Sequence, residues 1–232
     1  MHFGGLQKTS LIDYPDKISC VLFLCGCNFD CPFCHNPQLA RGGTVDPLAP
    51  DPDRLYRFLD NRRSFLEGVV ISGGEPTLQP DLPSLCTKLK QLGYPVKLDT
   101  NGSRPRVIQN LINDGLVDYI AMDIKTDPLH YGPLMQEECA PDCILESIRV
   151  IMKSASAYEF RTTCVKPLVS AGAIEEICRL IRGADLYVLQ HFRNDNVLHP
   201  EFFCDMNPAF TEDELEQLQS IAAPCVKKCV IR

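Results

Sequence analysis

The chain predicts an α/β fold: a partial, open TIM-like barrel of six βα units. Three observations carry that expectation. Six short apolar or β-branched runs recur along the chain, each too short for a stable helix. Helical periodicity fills the intervals between them, and this alternation implies βαβ crossovers and a parallel sheet. Six units fall short of the eight that close a barrel, so the sheet is expected to stay open.

The strands are expected at residues 18–24 (ISCVLFL), 68–72 (GVVIS), 96–100 (VKLDT), 119–124 (YIAMDI), 158–165 (YEFRTTCV) and 186–190 (LYVLQ). Leu55, Phe58 and Leu59 set a helix over 53–63. Leu85, Leu89 and Leu92 set one over 82–92, and Val107, Leu111 and Ile112 one over 104–114. Helices over 144–154 and 173–182 complete the crossovers. From the second strand on, starts fall 23 to 39 residues apart, which suits one helix per crossover. The connection from Leu24 to Gly68 is longer. Within it, 42–52 reads as a loop containing Pro and Gly. Residues 191–208 read as irregular and 211–222 as a final helix, with Thr211 and Glu214 at capping-box spacing. Residues 1–192 are therefore assigned to the barrel and 193–232 to a C-terminal extension.

The 232 residues are 45% hydrophobic and 23% charged, ordinary for a globular chain with a packed core. The net charge of −7 and scattered basic residues argue against a nucleic-acid partner. No run approaches the ~18 apolar residues of a membrane span, and the first residues lack a secretory pattern. Thirteen cysteines in such a chain suggest a reducing, cytoplasmic setting, with thiols or metal ligands rather than disulfides. Cys20, Cys86, Cys164 and Cys178 fall in apolar periodic segments and read as small core side chains.

Cys27, Cys31 and Cys34 are different. Their C-x3-C-x2-C spacing puts three thiols on one short loop. Three thiolates can hold three irons of a cubane cluster whose usual complement is four cysteines. The fourth iron is then open to a small molecule. A structural zinc site built from the same cysteines and His35 is the competing reading, although zinc sites usually pair two short ligand hairpins.

The other candidates lie where strands end. The second strand runs into Gly73-Gly74-Glu75-Pro76, the third into Asp99-Thr100-Asn101, the fourth into Asp123-Ile124-Lys125. Lys125 lies two residues past Asp123 and so shares its face. Arg161 sits on the fifth strand and His191 just past the sixth. A buried carboxylate is costly unless paired. Polar strand ends converging on one cleft suit a zwitterionic ligand, since ligands bind at the carboxyl ends of such strands.

These residues resemble the radical SAM superfamily over most of the chain. Within it, the similarity is to activating enzymes of glycyl-radical proteins, of the anaerobic ribonucleoside-triphosphate reductase activating type. The runs 5–15 (GLQKTSLIDYP), 73–79 (GGEPTLQ), 97–103 (KLDTNGS), 121–125 (AMDIK) and 159–163 (EFRTT) carry it, in order. The resemblance implies a 4Fe–4S cluster on Cys27, Cys31 and Cys34. It also implies S-adenosylmethionine on the open iron. Gly73, Gly74 and Glu75 would form the motif facing the methionine ammonium, and Arg161 and Lys125 would face its carboxylate. Asp99, Thr100 and Asp123 would bind the cofactor or a monovalent cation beside it, and Asn101 would bind the cofactor. Phe33 would pack near the adenine and His191 near the nucleoside. The implied partners are a glycyl-radical enzyme and a reduced flavodoxin or ferredoxin-type electron donor. The inserted ferredoxin-like segment of many such activases is not found in this sequence. Cys139/Cys143 and Cys225/Cys229 are isolated C-x3-C pairs, expected as free thiols; if helical, Cys225 and Cys229 would share a face. Two other readings stay open: a radical SAM enzyme acting on a small-molecule or tRNA-modification precursor, and a non-catalytic iron–sulfur scaffold or electron carrier.

Overall fold

A computed structural model describes residues 2–44, 50–135, 141–204 and 206–232. One eight-stranded sheet runs in chain order from edge to edge. Its strands are β1 (Phe3–Ser10), β2 (Ser19–Leu24), β3 (Gly68–Gly73), β4 (Val96–Thr100), β5 (Tyr119–Asp123), β6 (Tyr158–Cys164), β7 (Tyr187–His191) and β8 (Cys229–Ile231). β1 pairs antiparallel with β2; every later pair is parallel. The sheet is open, as expected, and β2 to β7 match the six expected strands to within one residue at each end.

Two further strands, β1 and β8, flank these six. β1 carries two glycines and a polar Gln7-Lys8-Thr9 stretch that is exposed on the sheet edge. β8 is only three residues long. Neither presents the apolar run that marks an interior strand. The tail does not take the helical form considered for it: Cys225 closes a 3₁₀ turn and Cys229 opens β8, pairing with Tyr187 of β7. Cys139 lies outside the described residues.

The helices are α1 (Pro37–Ala40), α2 (Pro52–Asp60), α3 (Leu82–Gln91), α4 (Pro105–Asn113), α5 (Pro141–Ser154), α6 (Ala171–Leu180) and α7 (Glu212–Ala222). Their starts follow local chemistry. The Asp51 carboxylate accepts the Arg54 N–H at 2.8 Å to cap α2. Thr211 and Glu214 form the expected capping box on α7. Apolar helix residues such as Leu55, Leu59, Leu85, Leu89, Ile108 and Leu111 bury against Leu22, Ile71, Leu98, Ile120 and Phe160 of the sheet in one core.

Side chains alternate across each strand, so the opposite face of the sheet has its own contents. Its lower part, toward the strand N-termini, is apolar. Tyr14, Val21 and Val70 form a separate small cluster with Phe23 and Tyr119 against it. Tyr14 reaches it from the β1–β2 connection and lies 6.0 Å from the Tyr119 ring. The upper part of that face is polar and charged, and it faces the cysteine loop.

Candidate active site

The loop between β2 and α1 has its backbone tied to several neighbours. The Gly26 N–H donates to Leu39 O at 2.7 Å and the Cys27 N–H to Ala40 O at 3.2 Å. The Asp30 N–H donates to Leu134 O, and the His199 N–H reaches Pro32 O. Phe29 meets the Tyr131 ring edge-on at 5.8 Å. The Tyr131 hydroxyl in turn accepts the Lys125 N–H at 2.5 Å.

Gly73 and Gly74 carry the turn after β3 against this loop. A Cβ on Gly74 would lie 2.1 Å from Gly26 O, and one on Gly73 would lie 2.2 Å from Leu24 O. Gly73 also has a φ of +128°, which side-chain-bearing residues rarely adopt. The glycines therefore permit close packing of the turn on the cysteine loop, beyond the ligand approach expected for them. The N–H groups of Gly74 and Glu75 are spent inside the chain, on Leu24 O and Gly26 O.

One cavity results. Its lining includes Cys27, Cys31 and Cys34 on one side and Gly73, Gly74, Asp99, Thr100, Asn101, Asp123, Lys125 and Arg161 on the other, with Phe33 between. Its volume is about 240 Å³. Two expected residues stand elsewhere. Glu75 is fully buried behind the wall. Its Oε1 accepts from the Thr77 N–H at 3.0 Å, the Thr77 hydroxyl at 2.5 Å and the Thr100 hydroxyl at 2.8 Å. Its Oε2 accepts the Asn101 N–H at 2.6 Å. The carboxylate thus locks the β3 turn to the end of β4. Burial pushes its pKa up, and these hydrogen bonds oppose the shift. His191 turns outward, with Nε2 3.5 Å from Glu212, and its neighbour Gln190 faces the cavity instead.

The strand ends form an ion network. Arg161 donates through Nε to Asp123 Oδ1 at 2.7 Å and lies 3.5 Å from Asp99 Oδ1. Lys125 donates to Asp123 Oδ2 at 2.9 Å. Burial raises the Asp123 pKa, but Arg161 and Lys125 outweigh it and hold the carboxyl well below the usual range. For Asp99 burial is likewise outweighed, here by Arg161 and Lys97. The Lys125 ammonium also sits 5.9 Å from the centre of the Phe33 ring. Lys97 was missed as a site residue: mid-strand, it carries no turn signal. Parity with Asp99 is the signal that could have found it. His35, Asn36, Ser72 and Thr163 are further lining residues that the strand-end argument did not single out.

The three thiols suit a thiolate-held group. Burial pushes Cys27 up to about 11 and Cys31 up to about 12, so metal binding must displace protons. The Cys27 sulfur accepts the Phe29 N–H at 3.4 Å and lies 3.9 Å from Asn101 Nδ2. Cys25 does not join them; its thiol donates to Gly43 O at 3.0 Å. Among the described residues no three Cys, His, Asp or Glu side chains are placed to hold a single ion. Three thiols around a shared cavity match the donor set of a cluster that spans several irons.

An open α/β barrel that presents three thiols and an ionic strand-end network to one cleft is the frame of a cofactor-dependent redox enzyme. The chain belongs to the radical SAM superfamily, whose family model matches residues 21–182. It has the architecture of that catalytic class, in which an iron–sulfur cluster works with S-adenosylmethionine. A Methanocaldococcus jannaschii protein named as a candidate glycyl-radical enzyme activating enzyme is 38% identical over 240 residues, covering 99% of this chain and 95% of that one. A second protein of the same organism with the same description is 30% identical, covering 79% and 70%. Among solved structures, Streptococcus suis SuiB bound to precursor peptide SuiA superposes with a TM-score of 0.68 at 15% identity, covering 91% of this chain and 48% of that one. At that identity the likeness shows the fold alone. Among the described residues no helix is long and apolar enough to cross a membrane.

Proposed function

We propose that this chain cleaves S-adenosylmethionine reductively and uses the product radical to install a glycyl radical on a partner enzyme, such as an anaerobic ribonucleotide reductase. The carrying observation is that Cys27, Cys31 and Cys34 open into the same cavity as Asp99, Asp123, Lys125 and Arg161. A 4Fe–4S cluster on the three thiols would supply one electron, from a flavodoxin- or ferredoxin-type donor, to form the 5′-deoxyadenosyl radical.

The chain's own residues have separable duties in this reading. Lys125 and Arg161 offer fixed positive charge to a ligand carboxylate. The Gly73–Gly74 turn lines the same cavity, and its carbonyl oxygens are the groups there that can accept from an ammonium. Phe33 and the loop above it shield the cleft from water. The partner assignment is supported by the near full-length relative named for glycyl-radical activation and by the unclosed sheet, which leaves room for an entering polypeptide segment.

The test uses a partner deuterated at its glycine Cα. With reductant, 5′-deoxyadenosine formation should accelerate on adding the partner, a glycyl doublet should appear by electron paramagnetic resonance, and deuterium should enter the 5′-deoxyadenosine. Stimulation by a small metabolite instead, with deuterium arriving from that metabolite, would replace the activase reading.

A further inference from the structure

The resemblance puts a monovalent cation beside Asp99, Thr100 and Asp123. The side chains do not fit one. Asp123 has both oxygens engaged, by Arg161 and by Lys125. The Thr100 hydroxyl donates to Glu75 and accepts the Gly102 N–H at 3.1 Å. Asp99 Oδ1 takes Lys97 Nζ at 2.5 Å and Arg161 at 3.5 Å. Only Asp99 Oδ2 accepts no hydrogen bond among the described residues, and a hard cation wants several oxygens.

Charge argues the same way. Lys97, Lys125, Arg161 and Arg232 stand against Asp99, Asp123 and Glu159. Glu159 lies 3.9 Å from Arg161 and 3.1 Å from Arg232. Counting Glu75, whose carboxylate takes the Thr100 hydroxyl, four cations meet four carboxylates before any ion is added.

Lys97 is the unexpected member. Its side chain is 2% exposed, and its ammonium is held between Asp99 and the ring of Tyr119, its register neighbour on β5, at 5.9 Å. Burying an ammonium is costly, and an apolar residue would serve the fold as well or better. We propose that the Lys97 ammonium is a built-in cation: it neutralises Asp99 and fixes it toward the cleft, so the chain needs no free monovalent ion for binding its ligand. The ligand part of this rests on the S-adenosylmethionine reading above; the ion part does not.

The test compares anaerobically reconstituted wild type with Lys97→Met in potassium chloride and in tetramethylammonium chloride at equal ionic strength. Two quantities are read: S-adenosylmethionine affinity and the urea unfolding midpoint. Wild type should give the same values in both salts. Lys97→Met should bind roughly tenfold or more weakly in tetramethylammonium, with a lowered midpoint, and potassium should restore both by binding the native state. A merely structural ion pair would lose stability without potassium rescue, and that result overturns the proposal. So does a wild type that gains affinity or stability from potassium. If Lys97→Met does not fold in either salt, Lys97→Met/Asp99→Asn removes both charges together. Its midpoint should be indifferent to potassium, and a response there would place a cation elsewhere and overturn the proposal. If wild type binds no S-adenosylmethionine in any salt, the ligand reading fails, while the unfolding midpoints still decide the role of Lys97.

Discussion

The upper and lower parts of the sheet's cleft-side face share one surface yet follow opposite chemistry. The lower half is Tyr14, Val21 and Val70, closed by apolar contact. The upper half holds Asp99, Asp123, Lys125, Glu159 and Arg161 in a buried ion network, and Lys97, level with Val70 and Tyr119, reaches up to join it at Asp99. Two residues along β5 separate one regime from the other: Ala121 gives way to Asp123. Apolar contact would have been the simpler way to stabilise the upper half too, because desolvating paired charges recovers little. In the function proposed above, the upper half is the part kept for binding.

The largest effect that sharpens the contrast lies at the loop facing the upper half. Cys27→Ala, Cys31→Ala and Cys34→Ala should each abolish iron–sulfur absorbance after anaerobic reconstitution. The Cys225→Ala/Cys229→Ala double variant should retain about four irons per chain, the content of one cubane. Iron analysis with visible spectroscopy checks both, and a double variant that lost half of a larger iron content would reveal a second cluster.

A smaller effect separates wall from cleft. Glu75→Gln would turn an amide N–H₂ toward the Asn101 N–H or toward the Thr77 and Thr100 donors. One buried donor then goes unmatched, at a cost of about 2 kcal/mol in unfolding free energy. Urea titration measures it. Because Glu75 lies behind the cavity, iron content should not change.

The interior strands were legible because each carries apolar or β-branched residues at its core-facing positions, in a run too short for a helix. β1 and β8 were not, because edge strands need no such run. The strand-end cluster was legible through its carboxylates: Asp99 and Asp123 had to be paired if buried, and Lys125 followed from parity. Lys97 obeys the same parity but precedes its partner, in the middle of a strand, where a lysine reads as exposed. His191 was one residue off register; Val188 and Gln190 share the inward face, so His191 points away. Glu75 follows a strand into a turn, where alternation ends and sequence no longer says which way a side chain faces. Gly73 and Gly74 were visible as a tight turn, but the backbone they make room for, Leu24 and Gly26, is some fifty residues away in sequence.

The most direct measurement of the account is equilibrium binding of S-adenosylmethionine to reconstituted Arg161→Ala and Tyr14→Ala, one from each half. Tyr14→Ala should destabilise the fold by on the order of 3 kcal/mol yet bind within about twofold of wild type, since Tyr14 and its neighbours Lys17, Gly68 and Tyr119 lie outside the cavity lining. Arg161→Ala should keep its iron and lose roughly ten- to hundred-fold in affinity, the worth of a hydrogen bond to a charged group. Unchanged affinity in Arg161→Ala, or an equal loss in both variants, would contradict the division of the interior into a binding half and a structural half.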